Sequence, residues 1–327
     1  MKPATHITDF RDGGLGGMAL SPDVLDNMPA EVADRSARAG IPSRWTDFYE
    51  LTKPRMNFLV VVTTLVGYYM AAGIGGPLHW ARLLNTILGT AATAAGASVL
   101  NQYAERAFDA LMPRTANRPL PAGRVAPLEA LFMGVSLGAA GVVYLAIAVN
   151  ALTALLGAIT LLSYVFAYTP LKRQTTLCTV VGAVPGAIPP LMGWTALTGS
   201  LSPQAFSLFA ILFLWQMPHF LAIAILYKDD YAAGGFRMLP VVDPGLHSTG
   251  RQMVLYGMAL IPVSLMPVGL NMAGPIYLAA AVALGLVFLG FGVSCAISKR
   301  RIDARKLFFV SIIYLPLLLA AMMIDKR

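Results

Sequence analysis

Long apolar runs separated by short polar segments fill the chain after residue 46. Each run is about 17–25 residues long, the length that crosses a bilayer as a helix. Asn150 and the segment 272–274 interrupt the apolar pattern only briefly, which predicts tight hairpins there. We therefore predict an all-α, polytopic membrane helical bundle of about nine transmembrane helices around a central cavity. The predicted spans are 56–74, 83–104, 127–148, 151–170, 177–197, 204–226, 252–271, 275–297 and 307–324.

The first 46 residues have a different pattern. They mix acidic residues with Gly and Pro and show no apolar periodicity, which is typical of a disordered segment. They lack the apolar core of a signal peptide, and their acids argue against an organellar transit peptide. We predict a disordered cytoplasmic tail at 1–46 and one membrane domain at 47–327.

Composition agrees with a membrane location. The chain is 57% hydrophobic and 12% charged, whereas soluble proteins are about 45–50% apolar and about 25% charged. With the N-terminus inside, 21 of the 24 Lys and Arg residues fall on the cytoplasmic side, as the positive-inside rule requires. The net charge of +8 therefore indicates orientation in the lipid bilayer and needs no nucleic acid to explain it. The two cysteines exclude a disulfide framework and a multi-cysteine metal site.

A stripe of oxygen-bearing side chains marks the end of the second predicted span. Asn101, Glu105 and Asp109 follow one another at four-residue steps, so a helix places them on one face. One amide and two carboxylates form a hard-oxygen set that suits Mg²⁺ better than zinc or copper. Ionisable residues at membrane depth are costly and point to function. We predict that this stripe binds Mg²⁺ and is catalytic.

Other charged residues near the predicted cytoplasmic ends of spans fit the chemistry of a lipid diphosphate. Guanidinium and ammonium groups bind phosphate. If a second acidic span end meets the first across a cavity, each could hold a metal that bridges one diphosphate. The one histidine inside a span could ligate iron or handle protons. The candidate substrate-binding residues are Arg114, Arg118, Lys172, Arg173, Lys228, Asp229 and His219, with Asp230 as a further catalytic residue.

The stretch NQYAERAFDALMPRTANRPL at 101–120 resembles the first aspartate-rich signature of the UbiA-type intramembrane prenyltransferase superfamily. Gln102 and Glu105 replace two of the usual acids, as in the branch that farnesylates haem. The segments YKDDYAAGGFRMLP at 227–240, WQMPHF at 215–220 and YTPLKR at 168–173 resemble that branch too. The resemblance covers residues 47 to about 325.

This resemblance implies nine helices in a bacterial plasma (inner) membrane, with the chemistry on the cytosolic side. It implies Mg²⁺, with farnesyl diphosphate and haem B as substrates and haem O as product. It also implies a haem A synthase or oxidase assembly partner. The second acidic segment departs from the superfamily pattern, because Ala233 and Gly234 lie four residues beyond Asp229 and Asp230. A second metal at that segment is therefore in doubt.

Two other functions remain open at this point. One is a prenyltransferase acting on an aromatic acid or a quinone precursor, which Gln102, Glu105 and the acid-poor second segment disfavour. The other is a membrane transporter for an anionic lipid or metabolite, which would have a similar composition. Transporters more often place charges near the bilayer midplane, whereas this chain places them at one membrane face.

Overall fold

A computed structural model describes residues 43–73 and 77–327, and its compact helical unit comprises Arg44–Arg327. The predicted tail falls almost entirely outside the described residues. The helices of the unit, in chain order, are α1 Arg44–Leu51, α2 Pro54–Ala71, α3 Trp80–Asp109, α4 Pro127–Ala148, α5 Ala151–Leu171, α6 Cys178–Ala187, α7 Pro189–Thr198, α8 Pro203–Leu226, α9 Lys228–Ala233, α10 Leu239–Val242, α11 His247–Gly269, α12 Pro275–Ser298 and α13 Arg301–Ile324.

The predicted all-α membrane bundle is confirmed. Within the described ranges, eight candidate spans are long and apolar enough to cross a membrane: α3, α4, α5, the pair α6–α7, α8, α11, α12 and α13. The first predicted span, 56–74, forms the 18-residue helix α2. This helix is less apolar than the eight candidate spans, because Arg55 and Asn57 lie in its first turns and two threonines follow in its middle. The hydroxyl groups of Thr63 and Thr64 donate hydrogen bonds to backbone carbonyl oxygens one turn earlier in the same helix.

Proline and asparagine fix the breaks between helices. The predicted fifth span divides at Ile188 into α6 and α7, because Pro189 has no N–H to continue the hydrogen-bond ladder of α6. The predicted hairpin at Asn150 is present, and the Asn150 side chain accepts from the Thr153 N–H to cap α5. Near its end, α5 contains a π-helical turn at Ser163–Tyr168.

Glycine allows the helices that carry the site to pack backbone against backbone. A Cβ at Gly193 of α7 would overlap the carbonyl oxygen of Thr64 in α2. A Cβ at Gly96 of α3 would likewise overlap the backbone of Gly138 in α4. Small residues of this kind permit close approach of helices in membranes, where apolar burial alone gives no driving force.

The contact at Gly193 gives a stability prediction. Gly193→Ala should lower the melting temperature of the detergent-solubilised protein clearly, because α2 and α7 must separate to admit the methyl group, at a cost of about 1–3 kcal/mol. Gly290→Ala in α12 is the matched control, since a Cβ there meets nothing within 4 Å. Equal melting temperatures for the two variants would contradict the close packing of α2 against α7.

The C-terminus joins the first and last long helices. Lys326 donates to the carbonyl oxygens of Tyr69 and Ala72 at 2.5 and 2.7 Å, where α2 ends. Burial lowers the pKa of this lysine. The carboxylate of Asp325 accepts from the Tyr277 N–H at 2.8 Å and so caps α12. The C-terminus therefore lies at the end of α2 opposite to Lys53, which precedes that helix.

Candidate active site

The predicted oxygen stripe is buried on one face of α3. Asn101, Glu105 and Asp109 are 1%, 6% and 2% exposed, respectively. Their spacing places them one above another along the last turns of the helix, as the sequence predicted. Carboxylates are rarely buried without a partner, because desolvation of a charge is expensive. The partners of these groups therefore define the site.

A cation lies against each member of the stripe. Lys53 Nζ donates to Asn101 Oδ1 at 2.9 Å, and Arg118 donates to Asp109 Oδ2 at 2.8 Å. Lys172 Nζ lies 2.8 Å from Glu105 Oε1. Two of these cations, Arg118 and Lys172, were predicted from the sequence. Arg118 and Lys172 come from two different loops. Together with Lys53 they place three basic groups against the two carboxylates of the stripe.

The Glu105–Lys172 pair is an ion pair without an aligned hydrogen bond. Glu105 Oε1 is sealed from solvent and has no hydrogen-bond partner, although the Lys172 ammonium is within 2.8 Å. The same ammonium lies 4.5 Å from the ring centre of Tyr168, in a cation–π contact. Burial by itself would lower the pKa of Lys172, but the neighbouring Tyr168 and Glu105 raise it well above its ordinary value. Lys172 therefore stays protonated.

The π-helical turn of α5 adjusts the position of these groups. π turns often occur at functional sites because they insert a residue and re-aim the side chains that follow. Here Thr169 Oγ1, directly after the turn, donates to the Tyr164 carbonyl oxygen at 2.8 Å. It also accepts from Asn101 Nδ2 at 3.1 Å. The amide of Asn101 is thus held between α5 and Lys53, with its oxygen facing the cation.

Lys53 is a site residue that is not among the candidates predicted from the sequence. It precedes α2 with a left-handed backbone, φ 49°, which turns its side chain toward α3. Burial, together with the charges of Arg118 and Lys172, lowers the pKa of Lys53 to about 7. From sequence alone, a lysine before a span looks like an orientation signal. Only the turn between α1 and α2 directs it to Asn101.

Three loops at this end of the bundle meet around aromatic rings. Arg173 stacks over the Phe108 ring with 3.9 Å between guanidinium carbon and ring centre. Arg114 stacks over Tyr227 at 4.5 Å. The Arg237 N–H donates to the Lys172 carbonyl oxygen at 2.7 Å. The first signature, the α5–α6 loop and the second signature are therefore in contact.

The second acidic segment contributes differently from the first. Asp229 is exposed and lies 3.6 Å from Arg301 of α13. Lys228 and Asp230 are half-buried, and within the described ranges neither forms an ion pair. This segment contacts the site through its aromatic residues, since Arg114 lies 5.8 Å from the ring centre of Tyr231 and Lys172 lies 5.9 Å from that of Phe236.

A cavity of about 650 Å³ lies beside Glu105 between α3, α4 and α5. Its walls are mainly apolar and aromatic, including Phe108, Phe166 and Phe236, and Arg173 lies among them. Phe166 and Val135 line it and are exposed to the surroundings of the bundle. The cavity therefore connects the polar stripe with the lipid-facing surface.

His219 lies apart from the polar stripe, in the C-terminal half of α8. Its ring stacks between Trp215 and Phe308 of α13, with 5.0 and 5.2 Å between ring centres. Its Nδ1 atom lies 2.7 Å from Ser311 Oγ. The ring is half-buried, so it is neither a surface residue nor a sealed core residue.

The donor set on α3 fits Mg²⁺. Its oxygens are hard ligands, and the orphaned Glu105 Oε1 is a buried anionic atom without an aligned donor. Among residues 43–73 and 77–327, no three His, Cys, Asp or Glu side chains form a metal-binding group. A metal here would therefore use the amide of Asn101 and further oxygens from a substrate, which is usual for Mg²⁺ with phosphates.

This fold and this cationic oxygen site define an intramembrane prenyltransferase. The chain belongs to the UbiA prenyltransferase family, whose model matches residues 60–313. The protein is therefore an enzyme and an integral, multi-pass membrane protein.

Several relatives share one name. Protoheme IX farnesyltransferase of Solibacter usitatus (strain Ellin6076) is 49% identical over 289 residues, which cover 86% of this chain and 98% of the relative. The protein of the same name from Myxococcus xanthus (strain DK1622) is 50% identical over 294 residues, with 89% and 98% covered.

Solved structures share the fold at low sequence identity. A structure described as digeranylgeranylglyceryl phosphate synthase superposes with a TM-score of 0.71 at 17% identity, covering 86% of this chain and 98% of that one. A UbiA homologue from Archaeoglobus fulgidus bound to DMAPP and Mg²⁺ gives a TM-score of 0.60 at 15% identity, with 84% and 99% covered.

Proposed function

We propose that this enzyme transfers the farnesyl group of farnesyl diphosphate to a vinyl group of haem B, giving haem O and diphosphate. The observation that carries the proposal is the buried stripe of Asn101, Glu105 and Asp109, each faced by a basic side chain. The likeness to relatives named protoheme IX farnesyltransferase, at 42–50% identity, supports haem as the acceptor.

The proposed reaction has three steps. The allylic carbon–oxygen bond of farnesyl diphosphate breaks, and diphosphate leaves with the electron pair. The terminal vinyl carbon of haem then forms the new carbon–carbon bond with the farnesyl cation. Water adds to the remaining vinyl carbon and loses a proton, which gives the hydroxyethylfarnesyl product. Aromatic walls such as Phe108 and Phe236 exclude water from the first cation and present ring faces to its charge.

The residues of the site take the following roles in this proposal. Asn101, Glu105 and Asp109 hold Mg²⁺, which when bound offsets the charge that develops on the leaving diphosphate. Lys53, Arg118 and Lys172 bind the diphosphate oxygens, and Arg114 and Arg173 lie at the edge of the same loops. Asp230, with Lys228 and Asp229, completes the side of the site formed by α9. His219 contacts haem.

The net positive charge of the site predicts that Mg²⁺ and diphosphate each bind more tightly when the other is bound. Three basic side chains already face the stripe, which has only two carboxylates, so Mg²⁺ alone would add charge to a net positive site. Bound diphosphate would pair with the basic side chains in place of the carboxylates, and it would add negative charge to the site. Each ligand should therefore raise the affinity of the other by the same factor, because coupling between binding sites is reciprocal.

Mn²⁺ titrations followed by electron paramagnetic resonance test this coupling. We expect Mn²⁺ to bind at least about 10-fold more tightly with inorganic diphosphate, a coupling of about 1.4 kcal/mol. Lys172→Gln should strengthen Mn²⁺ binding without diphosphate and reduce the coupling. Equal Mn²⁺ affinity with and without diphosphate in the wild-type protein would show that the basic side chains do not weaken metal binding.

We also propose that the enzyme lies in the bacterial plasma (inner) membrane with its N-terminus and active site facing the cytoplasm. The basic residues support this orientation, because Lys53, Arg118 and Lys172 gather at the end of the bundle opposite to Lys326. The product would then be available on that side to a haem A synthase or an oxidase assembly partner.

The orientation predicts that the C-terminus faces away from the cytoplasm. An alkaline phosphatase fused after Arg327 should be active in whole cells, whereas a fluorescent reporter that folds only in the cytoplasm should stay dark. Cysteines introduced near Arg118 should be labelled only after the membrane is opened. A cytoplasmic C-terminal reporter would overturn both the orientation and the odd number of spans.

Incubation of membranes containing the enzyme with haem B, farnesyl diphosphate and Mg²⁺ tests the function. Mass spectrometry should detect haem O in these membranes and not in membranes with the Asp109→Asn variant. A farnesylated aromatic acid or quinone precursor, with no modified haem, would favour the sister prenyltransferase. Release of labelled substrate across sealed vesicles without chemical change would favour the transporter.

A further inference from the structure

A chain of hydrogen bonds fixes the position of His219 from the opposite helix. Ser311 Oγ of α13 donates to the Phe308 carbonyl oxygen at 2.5 Å, and His219 Nδ1 lies 2.7 Å from the same Oγ. Trp215 Nε1 donates to the Ser311 carbonyl oxygen at 2.9 Å. Two side chains of α8 therefore converge on one serine.

This chain of bonds selects one protonation form of the ring. A serine hydroxyl has one hydrogen, and here the Phe308 carbonyl can only accept it. Ser311 Oγ must therefore act as the acceptor for His219, so Nδ1 of the histidine carries the hydrogen. In a neutral imidazole the other nitrogen, Nε2, then has a free lone pair.

The free lone pair is also accessible. Trp215 and Phe308 cover the two faces of the His219 ring, and Ser311 occupies the Nδ1 edge. Nε2 has no hydrogen-bond partner among the described residues. The atom is also not fully buried. The edge that carries Nε2 is therefore the one left partly open, although the tilted ring of Phe220 also lies near the imidazole, with 5.7 Å between ring centres. Metal coordination takes place in the ring plane, so the stacked rings do not obstruct it.

We propose that His219 Nε2 is an axial ligand of the iron of the haem substrate and that Ser311 is its positioning residue. The inference rests on the proposed function, since it assigns the contact that holds the acceptor. Histidine ligands of metals commonly donate their second ring N–H to a fixed oxygen, which sets the tautomer and raises the basicity of the ligand. The His219–Ser311 pair has this arrangement.

The position of His219 fits a substrate that must reach into the bundle. It lies seven residues before the end of α8 at Leu226, about 10 Å along the helix axis. The diphosphate-binding cations lie at the end of the bundle where α8 leads into α9. A macrocycle ligated at His219 would lie deeper than the diphosphate. A diphosphate has no need of a neutral imidazole, which leaves haem as the substrate that uses it.

Haem binding to the full-length protein in lipid nanodiscs tests the ligand. Titration with haem B, without farnesyl diphosphate, should give a Soret band typical of histidine-ligated haem. His219→Gly should lose that band, and added imidazole should restore it, because the free base can occupy the vacated position. A histidine that only packs between rings would not give a spectrum that responds to imidazole in this way.

Ser311 separates positioning from packing. Ser311→Ala should lower haem affinity by about 10–100-fold, whereas Ser311→Thr keeps the hydroxyl and should stay close to wild type. Ser264→Ala is the matched control, because this buried serine pairs with the Tyr314 hydroxyl instead of a histidine. If His219→Gly fails to fold, His219→Gln supplies the same comparison, since it retains a hydrogen-bonding side chain without an imidazole.

The outcomes distinguish this inference from the proposed function. An unchanged Soret band in a folded His219→Gly or His219→Gln variant overturns the ligand, even if haem O is still formed. A wild-type spectrum without histidine ligation overturns it as well. Histidine-ligated haem in a protein that makes no haem O would support the ligand and refute the farnesyl transfer.

Discussion

Asp109→Asn should lower turnover by about 100-fold or more, which corresponds to about 3 kcal/mol of lost transition-state stabilisation. The substitution keeps the shape of the side chain and an oxygen that can accept from Arg118. It removes one of the two negative charges that would hold Mg²⁺ beside the leaving diphosphate. Haem O formation at saturating substrate and Mg²⁺ measures the effect, and membrane insertion and melting temperature should stay near wild type.

Glu50→Gln is the matched control for this loss. Glu50 is also an acid at the active-site end of the bundle, but it is exposed and its partner, Arg124, is 3.7 Å away. Exposed ion pairs contribute little, so turnover should change by less than about threefold. Turnover near wild type in Asp109→Asn at saturating Mg²⁺ would rule out Asp109 as a metal ligand. A similar loss in both variants would mean that general charge matters more than the stripe.

Lys53→Met should also abolish most of the activity, by about 10–100-fold, because charge-assisted bonds to diphosphate are lost. The stem of the side chain remains, so contacts with α2 are largely kept. Arg55→Met is the matched control, since Arg55 lies two residues further along the chain but is exposed. Turnover assays at saturating farnesyl diphosphate should separate the two variants. Equal activity in both would show that Lys53 serves only to orient the span.

Lys53 should also make stability depend on pH in a defined direction. Burial lowers its pKa from 10.5 to about 7 in the folded protein, so the unfolded chain binds more protons between these values. Stability therefore rises with pH across this range, and the full cost of burying the charge is present below about pH 7. Melting temperatures of the substrate-free protein should show this rise, and Lys53→Met should reduce it.

Most of the site on α3 could be predicted because helical spacing acts locally. Asn101, Glu105 and Asp109 lie at four-residue steps, so any helix through them puts the three groups on one face. Arg118 follows within nine residues and reaches Asp109 through a short loop. Lys172 was predicted as a phosphate ligand, but its pairing with Glu105 depends on the π-helical turn in α5, which no pattern in the chain indicates.

The predicted span positions were close for a similar reason. Apolar length and loop charge are properties of each segment by itself, and eight candidate spans agree with them in the described part of the chain. The first span is the least apolar, because α2 places polar residues against α7 and the site. Its role comes from packing through Gly193, which sequence hydropathy does not measure.

The sequence by itself determined the properties that depend on neighbours along the chain: a helical membrane bundle, the oxygen stripe, and the loops that carry basic residues. The tertiary structure alone decided which distant groups meet. It brings Lys53 to Asn101 across 48 residues and His219 to Ser311 across 92. These contacts depend on a left-handed turn and on the angle between packed helices. Many side chains fix such geometry jointly, so it leaves no periodic signal in the order of residues.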